Sequence, residues 1–270
     1  KREELARIEQ QRAEAERRRQ EEEERLAQLS REEKELRDKI RRILDEGIQA
    51  MDAGRFPDAR QKFDEAIGMA PATAEAYARK GDAYFREDSQ DQGNLQRAVE
   101  NANRAKDLDK NLWIPYATLG GVYMQTRNWE AAISEYREAA RLNPEEAELL
   151  FELGKAQYRA GRFAEAGQSF EGAVHLDPEF SRAFFNLGAV YVQLQNYDAA
   201  LRAFSSCSKL EPENAAVYFQ IGEIHRRKGS RSQAETSFRK AASLEPSNVR
   251  YLQALAANLY RQGKYADAEK

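Results

Sequence analysis

Apolar and small residues along this chain fall into two alternating stripes. Leu119, Gly120 and Tyr123 are answered by Leu153 and Gly154, by Leu187, Gly188 and Tyr191, and by Ile221 and Gly222. Each set is followed by a second: Ala132, Tyr136 and Pro144, then Ala166, Phe170 and Pro178, then Ala200, Phe204 and Pro212, then Ala234, Phe238 and Pro246. Corresponding members stand 34 residues apart. Spacings of three and four place the members of a set on one helix face, so every unit predicts two amphipathic helices. The proline cannot continue the second helix and ends it. Gly54, Gly161, Gly229 and Gly263 fall between the two helices, at a tight turn where a positive φ suits glycine. One such hairpin cannot bury its apolar face alone, but a stack of them can.

The period breaks once. "RFPDARQKFDEAIGMAP" at 55–71 and "RFAEAGQSFEGAVHLDP" at 162–178 lie 107 residues apart, three periods plus five residues. The polar, glycine-containing run at 86–98 is the place for the insertion, and the expectation is a stretched turn between two helices. The same unit has Ala102 where the others carry an aromatic and Lys110 where they carry proline. With fewer ring contacts, 74–112 is expected to be the least stable unit.

These residues resemble the tetratricopeptide repeat (TPR) family, whose pattern asks for Leu-Gly at positions 7 and 8, Tyr at 11, a small residue at 20, an aromatic at 24, Ala at 27 and Pro at 32. The match covers 40–73, 74–112 with its insertion, 113–146, 147–180, 181–214, 215–248 and a partial unit, 249–270. The resemblance implies an all-α fold, a right-handed α-solenoid of helix-turn-helix units. It also implies a concave surface lined by helix A positions 2, 5, 6, 9, 12 and 13, where partners bind.

Residues 1–39 are different material, rich in Glu-to-Arg pairs at i,i+4 such as Glu14–Arg18, Glu21–Arg25 and Glu33–Arg37. A heptad register runs through Leu5, Ile8, Arg12, Ala15, Arg19, Glu22, Leu26, Leu29, Glu33, Leu36, Ile40 and Ile43, apolar at its ends and polar in its middle. Three readings follow: a coiled coil that makes the chain a homodimer through 1–39, a single extended helix, or a helix that folds back on the solenoid. "SREE" at 30–33 has the capping-box form that could start a new helix, but without Gly or Pro before Gly47 one continuous helix into the first repeat is expected.

Charged residues make up 33% of the chain and the net charge is −3, which disfavours nucleic acid as a partner. No apolar run is long enough to span a bilayer. The chain opens on "KREELARIEQ" and ends within a helix B, so native flanks are expected to be missing, and the compartment stays open. Cys207, the single cysteine, sits at position 27 and reads as a buried structural thiol. His225 sits at position 11, where Tyr84, Tyr123 and Tyr191 stand in other units, and reads as a core-lining ring; His175 reads as exposed. Neither has a second ligand at i+3 or i+4, and no phosphate loop, nucleophile elbow or paired-cysteine motif occurs. No metal, cofactor, catalytic residue or small-molecule substrate is therefore expected.

Position 5 holds Phe151, Phe185 and Phe219 in three successive units. Tyr158, Lys155, Arg159, Asn186, Gln220, Arg226 and Arg227 come from the same helices at concave positions. An apolar row edged by cations and amides suits a groove for a peptide or protein with apolar side chains. The clamp by which some TPR proteins hold chaperone carboxylates is missing: around Asn186 its places are taken by Phe151, Lys155, Ala216 and Gln220. The expected function is thus a non-catalytic protein–protein interaction scaffold. Two other readings remain, a regulatory or targeting region of a larger enzyme and a structural spacer assembled through the N-terminal helix.

Overall fold

The computed structural model describes the backbone of residues 2–268 and the side chains of residues 17–268. Among them every regular element is helical, and the fold is the expected all-α solenoid of TPR units, each a pair of antiparallel helices. Contacts divide the chain into two units, 1–109 and 110–270.

In the first unit, α1 (Arg2–Asp52) is one unbroken helix, so no new helix starts at Arg31. Its C-terminal part packs on α2 (Phe56–Met69), α2 on α3 (Ala74–Glu87), and α3 on α4 (Gln92–Leu108). Ile43, Leu44, Ala50 and Met51 of α1 are buried with Ala59, Phe63 and Ala66 of α2. The heptad register therefore changes use along α1. Leu26, Leu29 and Leu36 lie open to solvent, 60%, 44% and 43% exposed, whereas Ile43 on the same stripe closes the chain's own core. Its first members, Leu5, Ile8, Arg12 and Ala15, lie outside the described side chains.

In the second unit α5 (Ile114–Gln125) pairs with α6 (Trp129–Leu142), α7 (Ala147–Arg159) with α8 (Phe163–Leu176), and α9 (Ser181–Gln193) with α10 (Tyr197–Leu210). Next come α11 (Ala215–Arg227) with α12 (Arg231–Leu244), then α13 (Val249–Tyr260) with the short α14 (Tyr265–Ala268). Within this unit α7, α9, α11 and α13 also lean on the preceding helix B, which makes the unit's core continuous.

Glycine at position 8 sets the spacing within a pair. A Cβ on Gly154 would stand 2.7 Å from the Phe170 ring, and one on Gly222 2.6 Å from the Phe238 ring. Phe63, Phe170, Phe204 and Phe238 are among the largest fully buried side chains. The turn after helix A needs a positive φ, supplied by Gly161 at +77° and Gly229 at +76°. Arg127 and Gln195 take the same conformation without glycine, at 58° and 57°.

The insertion behaves differently from expectation. The turn at 88–91 is only one residue longer than its counterparts, while α4 has 17 residues against 14 in α6, α8, α10 and α12. Asp91 caps the longer helix by accepting from the Asn94 N–H at 2.7 Å, and the added length extends a helix rather than a loop.

Candidate functional site

The inner face of the second unit follows from helix geometry. Taking position 8 as the direction of a helix A's own partner, 3.6 residues per turn puts positions 5 and 12 only about 40–60° away. Positions 2, 6, 9 and 13 fall about 100–160° away, beyond reach of the core.

That geometry corrects the phenylalanine row. Phe151 and Phe219 are buried, 3% and 5% exposed, and Phe185 is half-buried. Each ring packs on the aromatic of its own helix B: Phe151 on Phe170 at 5.7 Å, Phe185 on Phe204 at 5.4 Å, Phe219 on Phe238 at 5.8 Å. Phe151 also meets Phe180 at 4.8 Å, and Phe219 meets Tyr251 at 5.1 Å. The expectation of an open apolar ladder fails because position 5 borders the glycine stripe and its ring turns into the core. Tyr158 likewise lays its half-buried ring edge-on to Phe163 at 5.2 Å.

The polar candidates behave differently. Lys155 pairs with Glu152 at 2.6 Å and lies 5.3 Å from the centre of the Phe151 ring. Arg226 pairs with Glu223 at 2.7 Å. Asn186 donates to its own helix, to the Arg182 carbonyl at 2.8 Å, and Gln220 is half-buried. Arg159 and Arg227 are exposed, at the last residue of α7 and of α11.

Contacts between successive A helices join these positions into one face. Arg182 of α9 reaches back to Glu148 of α7 at 3.0 Å and lies over the Phe151 ring at 5.1 Å. Gln193 of α9 donates to the Tyr158 hydroxyl of α7 at 3.4 Å, and Arg250 of α13 lies over the Phe219 ring of α11 at 4.5 Å. Glu148 has its pKa raised by burial, with Arg182 opposing the rise. Gln193 was not among the candidates, yet it continues Arg159, Arg227 and Arg261 at steps of 34 residues. That periodicity at position 13 is the signal that would have found it.

The remaining chemistry is structural. Cys207 is buried, its sulfur 3.2 Å from the Ser181 hydroxyl, and burial raises its pKa. The Nδ1 of His225 is buried without a hydrogen-bond partner, and burial lowers its pKa, so the ring is kept neutral as core lining. The Tyr191 hydroxyl donates to Glu171, and burial with that carboxylate lifts its pKa to about 12. His175 is exposed. Among the described residues no three His, Cys, Asp or Glu side chains are grouped to hold a metal ion, and no helix is long and apolar enough to cross a membrane.

Residues 7–270 match the family described as the cilia and flagella-associated protein 70 C-terminal domain. The chain belongs to that family. No curated protein matches the sequence. Among solved structures the chain is similar to YrrB, described as a TPR protein with an unusual peptide-binding site, at 23% identity over 71% of this chain and 96% of that one, with a TM-score of 0.64. It is similar to PilF of Pseudomonas aeruginosa at 24% identity over 72% of this chain and 88% of that one, TM-score 0.58. A third likeness is to the Cut9–Hcn1 hetero-tetramer of the APC/C, 23% identity over 80% of this chain and 42% of that one, TM-score 0.60. At these identities the structures share the fold. The chain is a TPR α-solenoid.

Proposed function

We propose that this chain is a non-catalytic scaffold that holds a partner protein or peptide along the inner positions of α7, α9, α11 and α13. The observation that carries the reading is the repetition of exposed side chains at position 13: Arg159, Gln193, Arg227 and Arg261 recur every 34 residues and none serves the core. Exposed residues kept in register with a solenoid form a continuous surface for an elongated ligand. The peptide-binding site in the description of YrrB supports this reading, and the family's description supports a partner from cilia or flagella. The test is photo-crosslinking in extract of the native cell, with benzoylphenylalanine in place of Gln193 on the inner face or of exposed Lys209 on α10. Adducts are expected from position 193 and not from 209. Adducts from 209 alone would move the binding surface to the outer helices.

A second surface is favoured by α1. Leu26, Leu29 and Leu36 are exposed at heptad spacing and have no role in the chain's own core, so they supply a seam for pairing with a second copy. Light scattering should then give the mass of two chains, falling to one in the double variant Leu26→Glu, Leu29→Glu. A wild-type mass of one chain at high micromolar concentration removes this reading.

A further inference from the structure

The ion pairs of the inner face decide what kind of partner it fits. Across positions 2, 5, 6, 9, 12 and 13 of α7, α9, α11 and α13 stand seven cations, Lys155 and six arginines, and three carboxylates. Each carboxylate is already engaged: Glu148 by Arg182, Glu152 by Lys155, Glu223 by Arg226. Four arginines are left over. Arg159, Arg227, Arg250 and Arg261 are exposed, and none has a carboxylate within ion-pair distance among the described residues. A chain with a net charge of −3 therefore concentrates an unneutralised excess of four positive charges on one face.

From this we infer that the partner segment is an acidic, carboxylate-bearing peptide lying along the position-13 row, an inference that rests on the scaffold reading above. Arginine matches carboxylate because its fork donates two parallel hydrogen bonds. Gln193 adds an amide between Arg159 and Arg227, so every side chain of the row donates. The half-buried Phe185, Ala189 and Val192 leave apolar footing between the cations.

A cation on the last residue of a helix also complements the helix dipole, and that role alone predicts lost stability without any peptide preference. The experiment separates the two. The full chain is panned against displayed random 12-residue peptides, alongside R159E/R227E/R261E and R159Q/R227Q/R261Q, with helicity checked by circular dichroism. Wild type should enrich Asp and Glu, and the selected peptides should bind the Gln variant at least ~10-fold more weakly, the difference shrinking with salt. The Glu variant should enrich Lys and Arg instead; should it unfold, the Gln variant carries the test alone. Neutral peptides held equally by wild type and Gln variant overturn the acidic inference; if they still protect position 193 from crosslinking, the scaffold reading stands. No enrichment at all, or tighter binding of a labelled single-stranded oligonucleotide than of the best peptide, also overturns the inference.

Discussion

Five helix pairs seat a glycine on an aromatic ring, whereas α3 and α4 seat one on bare backbone. A Cβ on Gly47, Gly120, Gly154, Gly188 or Gly222 would run into Phe63, Tyr136, Phe170, Phe204 or Phe238 at 2.5–2.9 Å. On Gly81 it would meet the Ala98 carbonyl oxygen at 3.1 Å and the Ala102 nitrogen at 3.2 Å. The missing ring leaves no void: Ala98, Ala102 and Ala105 are fully buried because the two helices close on each other. Polar fasteners gather around that pair. Arg60 bonds Glu87 at 2.6 Å, Asn94 donates to the same carboxylate at 3.2 Å, and Arg60 and Arg97 lie 4.6 and 5.6 Å from the centre of the Tyr84 ring. One repeat pattern therefore has two packing solutions. The ring solution buries more apolar surface per helix, and buried apolar area is the main source of stability.

The largest expected effect reverses that order. In the wild type, hydrogen exchange should show α4 opening before α10, since alanines bury less apolar area than Phe204. Phe204→Ala removes a fully buried ring and leaves Gly188 and Phe185 facing a cavity, at a cost of roughly 3–5 kcal/mol. Helix α10 should then exchange before α4. Ala102→Phe is the opposite intrusion: a ring has no room above Gly81, and forcing the helices apart should cost about 1–3 kcal/mol. A wild-type α4 as protected as α10 would mean that close backbone approach and polar fasteners equal a buried ring.

How much of this was legible in the sequence depended on which period carried it. The paired helices and the buried Gly, Ala and aromatic stripes repeat every 34 residues and were readable from side-chain size alone. Cys207 and His225 could be placed because they occupy core positions of that frame. The phenylalanines at position 5 misled, because hydrophobicity says that a ring seeks cover and not which side supplies it; Phe151 and Phe219 found it in the core. Ion pairing was out of reach as well. Sequence lists Arg182 and Arg159 alike, and only the approach of α9 to α7 shows Arg182 spent on Glu148 and Arg159 free. The insertion was misassigned for a comparable reason. "QGNLQRAVENANRAKDL" contains a glycine and several asparagines and reads as loop-prone at its start, yet Asp91 caps it and tertiary packing holds it as helix from Gln92.

That cap gives the smaller effect and the finer test of why α4 is long. Asp91 accepts from the Asn94 N–H at 2.7 Å, while the corresponding bond in α6, from Ala131 N–H to Asn128, is 3.4 Å and near the limit of a hydrogen bond. Asp91 is also a charge at the positive end of the α4 dipole, where Asn128 is neutral. Asp91→Ala should therefore lower the protection of the first turns of α4 by about 1 kcal/mol, the usual worth of an N-cap. Asn128→Ala should cost α6 only a few tenths, because little bond is lost there. The loss in α4 should be local, since the turn at 88–91 precedes the part of the helix that meets Gly81. Exchange is read amide by amide from 92 to 108. Unchanged rates at 92–96 in Asp91→Ala would show that packing against Glu87 and Tyr84, and not the cap, holds the added turn as helix.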